Sequence, residues 1–271
     1  MKVVKSSVVI LFQVVGIITV IFLMLGFFVF SQFPSSSKIK GCMVTKMYQV
    51  NLCPGSPQYV RIDSVSEYLK KSIIISEDAG FYGHKGFDVA EMQKSLEKNI
   101  SAGKFARGGS TITQQLAKNL FLSKDKTLIR KGMEALITMQ IERTLSKNEI
   151  LERYVNVVQF GKELFGVKAA ASFYFKKSPS QLDPVESAFL AFLLPSPEAY
   201  SKSFFKKELT PFAQKRIREI LGKLYSVGKI SEPEYASAMD SLPYFLTGQK
   251  PSEEILEDLE MIDEESAPTE I

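Results

Sequence analysis

The stretch TLIRKGMEALITMQIERTL (127–145) decides the fold class. Its apolar residues Leu128, Ile129, Met133, Leu136, Ile137, Ile141 and Leu145 recur every three to four positions, the period of a helix with one buried face. The same signal extends to either side. PVESAFLAFLL (184–194) opens on proline and is dense in Ala, Leu and Phe, which predicts a buried helix. Thr210-Pro211 opens a helix that ends near Gly228, and Ser231-Glu232-Pro233-Glu234 opens the next. Towards the N-terminus, Asp63 or Ser64 is placed to cap a helix through Leu69. No alternating apolar run exceeds a few residues and no repeat is visible. The chain reads as mainly α over 64–248.

The flanks differ in composition. Residues 8–30 are apolar except for Gln13, Gly16, Thr19 and Gly26, and Lys2 and Lys5 precede them. That run is long enough to span about 30 Å of hydrocarbon, and no small-residue cleavage site follows. The expectation is an uncleaved transmembrane anchor, with 1–7 in the cytoplasm and the rest outside it. Residues 31–63 read as a juxtamembrane linker, irregular and turn-rich over 41–57. The tail, 249–271, reads as disordered: 252–271 holds nine acids and no base. The overall charge of +4 therefore conceals a clearly basic body, suited to an anionic partner such as phospholipid, nucleic acid or a phosphate-bearing substrate. The single histidine, His84, excludes a multi-histidine metal site. Cys42 and Cys53 fit a small disulfide loop or two free thiols equally well.

Four segments carry candidate chemistry. SEDAGFYGHKGFD (76–88) follows Ile73-Ile74-Ile75. A carboxylate beside apolar residues tends to hold its proton more tightly, which suits a general acid or base, but Glu77 also reads as an ordinary helix-end acid. RGGSTITQQLAKN (107–119) marks a tight turn into a helix, with Ser110 as the expected cap and free N–H groups to offer a phosphate. Thr111, Gln115 and Lys118 then fall on one polar face, while Ile112, Leu116 and Leu120 line the other. In RKGME (130–134), Arg130 and Glu134 are one turn apart, and spacing alone gives an ion pair worth about a few tenths of a kcal/mol. KNEILERYVN (147–156), with Gly161, Gly166 and the alanines 169–171, reads as structural, its small residues permitting close packing.

In this order, and continued by ESAFLA (186–191), these segments resemble the peptidoglycan glycosyltransferase family in its monofunctional form, over roughly 64–200. The resemblance implies a mainly α fold: a lysozyme-like helical lobe with a smaller membrane-associated lobe, preceded by one transmembrane helix. It implies transfer of a growing glycan chain from polyprenyl diphosphate to the GlcNAc 4-hydroxyl of lipid II, with inversion. Glu77 matches the general base and Glu134 the second acid. Thr111, Gln115, Lys118, Arg130 and Lys131 match substrate-side positions, with Ser110 and Gln114 beside them. Asp78, Phe81 and His84 match residues that shape the site. The family also implies a divalent cation such as Mg²⁺ as an optional cofactor near Glu134, with lipid II, the glycan strand, membrane lipid and other cell-wall synthesis proteins as partners, no nucleic acid, and a place in the bacterial inner membrane. Ser35 to Lys38 and Ser101 to Lys104 fit the S-x-x-K pattern of transpeptidases, but no K-T-G follows, so both are read as chance. A lytic glycosidase is the main rival, and the cations Lys118, Arg130 and Lys131 argue against it. A non-enzymatic anchor is the other.

Overall fold

A computed structural model describes residues 2–31, 33–102, 109–125 and 127–248. The acidic tail, Arg107 and Gly108 lie outside the described residues. Helix α1 (Lys2–Ser31) and the short α2 (Ser36–Lys40) lead into an antiparallel pair, β1 (Met43–Val44) and β2 (Asn51–Leu52), with Met43 opposite Leu52. Then come α3 (Glu67–Glu77), α4 (Val89–Ala102), α5 (Ile112–Phe121), α6 (Leu128–Thr144) and α7 (Lys147–Val157). A second small hairpin, β3 (Gln159–Gly161) with β4 (Leu164–Phe165), precedes α8 (Val167–Phe175) and α9 (Pro184–Leu193). The chain closes with α10 (Pro197–Tyr200), α11 (Lys202–Lys206), α12 (Pro211–Ser226) and α13 (Glu232–Ser241). The fold is mainly helical.

Helix starts follow the sequence punctuation. Thr127, Ser146, Asp183, Thr210 and Ser231 cap α6, α7, α9, α12 and α13 with their side chains. Each such cap satisfies an N–H that would otherwise be orphaned, and its loss costs about 1 kcal/mol. α9 is the centre of the core. Every residue from Val185 to Leu193 is buried, and α3 and α12 pack against it. α5 packs on α6 and α7, and one continuous apolar cluster joins the two groups.

Three sequence expectations change, and one open alternative, the cysteines, is resolved. The helix expected from Asp63 or Ser64 is a short 3-10 turn, Ile62–Ser64, and α3 begins at Glu67. Ser66 is the residue at the N-cap, and its hydroxyl donates to Leu182 O rather than accepting from a helix N–H. Part of the expected linker belongs to the folded body: Ile39, Leu52, Val60 and Ile62 are buried in the core. Cys42 and Cys53 are joined as a disulfide that closes the β1–β2 loop. On α6, Met133, Ile137 and Ile141 are buried, but Leu128 and Ile129 are 91% and 71% exposed, so the apolar stripe continues past the core into solvent.

Among the described residues no helix is long and apolar enough to cross a membrane. In α1 the described side chains are 12–24 and 26–27, all exposed.

Candidate functional site

The site forms where the C-terminal end of α3, the loop 78–88, and helices α5, α6 and α7 meet. The loop is held by one continuous chain of hydrogen bonds. Asp78, buried, accepts from the backbone N–H of Ile112 at 2.9 Å on one carboxylate oxygen and is paired with His84 Nε2 at 2.8 Å on the other. His84 Nδ1 in turn accepts from the Gly86 N–H at 3.1 Å, which puts the ring proton on Nε2, facing Asp78. The Gly86 carbonyl then accepts from the Thr111 hydroxyl at 2.7 Å. Gly86 has φ +91°, and a Cβ there would meet Thr138 Cγ2 at 2.7 Å, so only glycine fits without displacement.

This clasp corrects the reading of the α5 N-terminus. The cap is Thr111, not Ser110: Thr111 Oγ1 accepts from Gln114 N–H, and Gln114 Oε1 accepts from Thr111 N–H. Ile112 N–H is given to Asp78. The positive end of the helix is thus already occupied by the chain's own carboxylate, which removes it as an open phosphate site. Thr111 and Gln114 are buried in this cap, and neither faces outward.

Glu77 is the last residue of α3 and is half-buried. Its Oε2 accepts from Gln115 Nε2 at 2.8 Å. Gln115 lies one turn along α5 from Thr111, and its Oε1 accepts from the Tyr154 hydroxyl at 3.1 Å. Tyr154 is fully buried on α7. Burial first, then the negative charges of Glu77 and Asp78, push its phenol well above the usual range, so it stays protonated and donates.

Glu134 forms the opposite side. It is 2% exposed and takes Arg130 Nη1 at 3.2 Å on one oxygen and Lys131 Nζ on the other. Arg130 Nε is buried with no hydrogen-bond partner among the described residues. Lys118, half-buried on α5, faces this group: burial lowers the pKa of its ammonium, Glu134 opposes that shift, Arg130 and Lys131 reinforce it, and Glu77 opposes it. Two cations therefore pair with one buried carboxylate, and a third, Lys118, lies within electrostatic range of it and of Glu77. Such a surplus of positive charge attracts a polyanion and repels a cation. A divalent ion does not fit beside Glu134, because both carboxylate oxygens are engaged and the neighbours are cationic. Among the described residues Asp78, His84 and Asp88 also have oxygen and nitrogen atoms within 4.8 Å of one another. There, both Asp78 oxygens and both His84 ring nitrogens already make the clasp, and Asp88 Oδ1 accepts from Glu91 N–H.

Of the residues singled out in the sequence, Glu77, Gln115, Lys118, Arg130, Lys131 and Glu134 come together. Asp78, His84, Thr111 and Gln114 stand behind them as supports. Phe81 is fully buried, with Lys147 Nζ 4.6 Å from its ring centroid. Ser110 makes no cap. Tyr154 was read as part of a structural segment. Nothing local marks it, since it is 39 positions from Gln115 in sequence.

A family model described as Transglycosylase matches residues 46–225. The chain is 41% identical over 208 residues to the biosynthetic peptidoglycan transglycosylase of Nitrosospira multiformis, covering 74% of this chain and 89% of that protein. It is 51% identical over 147 residues to the protein of the same description in Aromatoleum aromaticum, covering 54% of this chain and 64% of that one. For the counterpart in Alcanivorax borkumensis the identity is 46% over 171 residues, covering 63% and 68%.

Proposed function

The chain belongs to the transglycosylase family, and we propose that it polymerises peptidoglycan glycan strands from lipid II. The observation that carries this reading is the pairing of one carboxylate held by a neutral amide, Glu77, with a cluster of three cations around Glu134. A displacement at a sugar carbon whose leaving group is a diphosphate needs both: a base for the incoming hydroxyl, and positive charge where the departing oxygens gain negative charge.

In this reading Glu77 takes the proton of the acceptor GlcNAc 4-hydroxyl. The oxygen bonds to the anomeric carbon of the growing chain, the bond to polyprenyl diphosphate breaks, and the configuration inverts to a β-1,4 link. Lys118, Arg130 and Lys131 receive the diphosphate. Glu134 holds Arg130 and Lys131 in place and keeps the cationic group from flying apart by self-repulsion. A lytic glycosidase has a sugar hydroxyl as leaving group and no use for three cations.

The reading includes the membrane. Its basis is the sequence: the apolar run 8–30 extends beyond the described side chains of α1, and its full length as a helix matches about 30 Å of hydrocarbon. With Lys2 and Lys5 before it, the positive-inside rule sets the body outside the cytoplasm, where the Cys42–Cys53 disulfide persists. Leu128 and Ile129, exposed at the start of α6, suit contact with lipid close to the diphosphate.

The test is incubation of the purified full chain with labelled lipid II and, separately, with finished glycan. Strand synthesis from lipid II with no cleavage of glycan is the expected result. Cleavage of glycan without synthesis overturns the reading.

A further inference from the structure

The side chain of Gln115 reaches in two directions, and the two contacts have different demands. An ionised carboxylate only accepts hydrogen bonds, so Glu77 requires the NH₂ end of the amide. The two ends of a glutamine amide have nearly the same shape, so sterics do not choose between them. A turned amide would set its oxygen against the carboxylate, acceptor against acceptor. On the other side stands Tyr154, whose hydroxyl donates to Gln115 Oε1 at 3.1 Å. Tyr154 is fully buried on α7, away from solvent. Among the described residues its hydroxyl bonds to the Gln115 amide.

We infer that Tyr154 is a positioning residue for the base: its hydroxyl locks the Gln115 amide with the NH₂ group towards Glu77, and so keeps Glu77 ionised and aimed. This rests on the reading of Glu77 as the base. A hydrogen bond given to the charged form of a carboxylate favours that form. Without the Tyr154 hydroxyl, the amide oxygen loses its donor, the amide turns, and Glu77 loses part of the stabilisation of its anion. The carboxylate then binds a proton at higher pH, and a larger share of enzyme is inactive on the acid side.

Lys118 also favours the ionised carboxylate, but it does not decide which end of the Gln115 amide faces Glu77. Facing it are Lys118 on α5 and Tyr154 on α7, with Asp78 next in the chain and committed to His84 and Ile112. On α6, Arg130 and Lys131 are joined to Glu134. On α9, which packs against α3, Glu186 is paired with Lys177. On α12, Arg216 pairs with Glu219, while Lys215, Arg218 and Lys223 are exposed.

The experiment is a double-mutant cycle on the full chain with Tyr154→Phe, Gln115→Met and the pair, reading strand synthesis from lipid II against pH, with melting temperatures. Tyr154→Phe keeps the buried ring and is expected to lower Tm by about 2–4 °C. Its acid limb in kcat is expected to move up by about one pH unit, with the rate at pH values below the limb down about tenfold and recovering as pH rises, and with KM changed less than about twofold. Gln115→Met is expected to move the limb in the same direction, and the pair to do no more than Gln115→Met alone. A uniform fall in rate with the acid limb unmoved overturns the inference, as does full additivity in the cycle. If Tyr154→Phe does not fold, the limb of Gln115→Met decides: an unmoved limb overturns the inference. Failure of the underlying reading looks different, since then the unmodified chain makes no strands or Glu77→Gln keeps the wild-type rate and pH profile.

Discussion

The two glutamates of the site are held in opposite ways. Glu77 ends a helix, is half-buried, and takes its hydrogen bond from a neutral amide. Glu134 lies mid-helix, is almost wholly buried, and is bound by Arg130 and Lys131 on both oxygens. Both oxygens of Glu134 are committed to cations, whereas the contact that Glu77 makes with Gln115 is to a neutral amide. In the proposed reading Glu77 serves proton transfer and Glu134 the organisation of positive charge, two roles that residue type alone does not separate.

The largest expected effect that sharpens this contrast lies at Lys118, which faces both acids. Lys118→Ala is expected to cut strand synthesis by about 10²–10³-fold, as loss of a transition-state contact does. Melting temperature should hardly move, since among the described residues the ammonium makes no hydrogen bond or ion pair that supports the fold. Lys118→Arg should recover only part of the rate, because a planar guanidinium does not replace a compact ammonium. Turnover and thermal melts of both variants check this, and near-normal turnover in Lys118→Ala would break the cationic half of the comparison.

Glu134→Ala should separate the acids by stability. It leaves Arg130 and Lys131 side by side without their carboxylate, at a cost of about 3 kcal/mol, the lower end for a broken buried pair because Lys131 is half exposed. Denaturant titration is the measurement. A loss under about 0.5 kcal/mol would mean that Glu134 does not hold the cations together.

The smallest effect concerns the backbone beneath that cluster. Gly132 lies between Lys131 and Met133 inside α6, and a Cβ there meets nothing within 4 Å. Gly132→Ala is therefore expected to stabilise the chain by about 0.5–1 kcal/mol with strand synthesis kept. A destabilisation in the same titration would show that α6 needs the freedom of glycine at the cationic end of the site.

How far the sequence could be read follows from the range of each signal. Helices α6, α9, α12 and α13 were legible because periodicity and caps are local. The face carrying Gln115 and Lys118 was legible because one helical turn fixes which residues are neighbours. The Arg130–Glu134 pair was visible as spacing, but its burial was not, because burial depends on α5 packing above it. The cap at Thr111 was missed by one residue: serine also caps well, and the signal that separates them is the Thr111-x-x-Gln114 capping box, which Ser110 with Thr113 does not make. The strands at 43–44 and 51–52 are too short for alternation to register, so their stretch passed for linker. Tyr154 looked like core, which it is. That its hydroxyl meets Gln115 depends on how α7 crosses α5, and no local pattern carries that.

The central claim is that Glu77 accepts the proton, and Glu77→Gln tests it most directly. The amide keeps the shape and can still bond to Gln115 but takes no proton. With purified full-length protein and labelled lipid II, strand synthesis is expected to fall by about 10²–10⁴-fold while lipid II affinity and melting temperature stay near wild type. Retention of more than about a tenth of the wild-type rate would contradict the assignment.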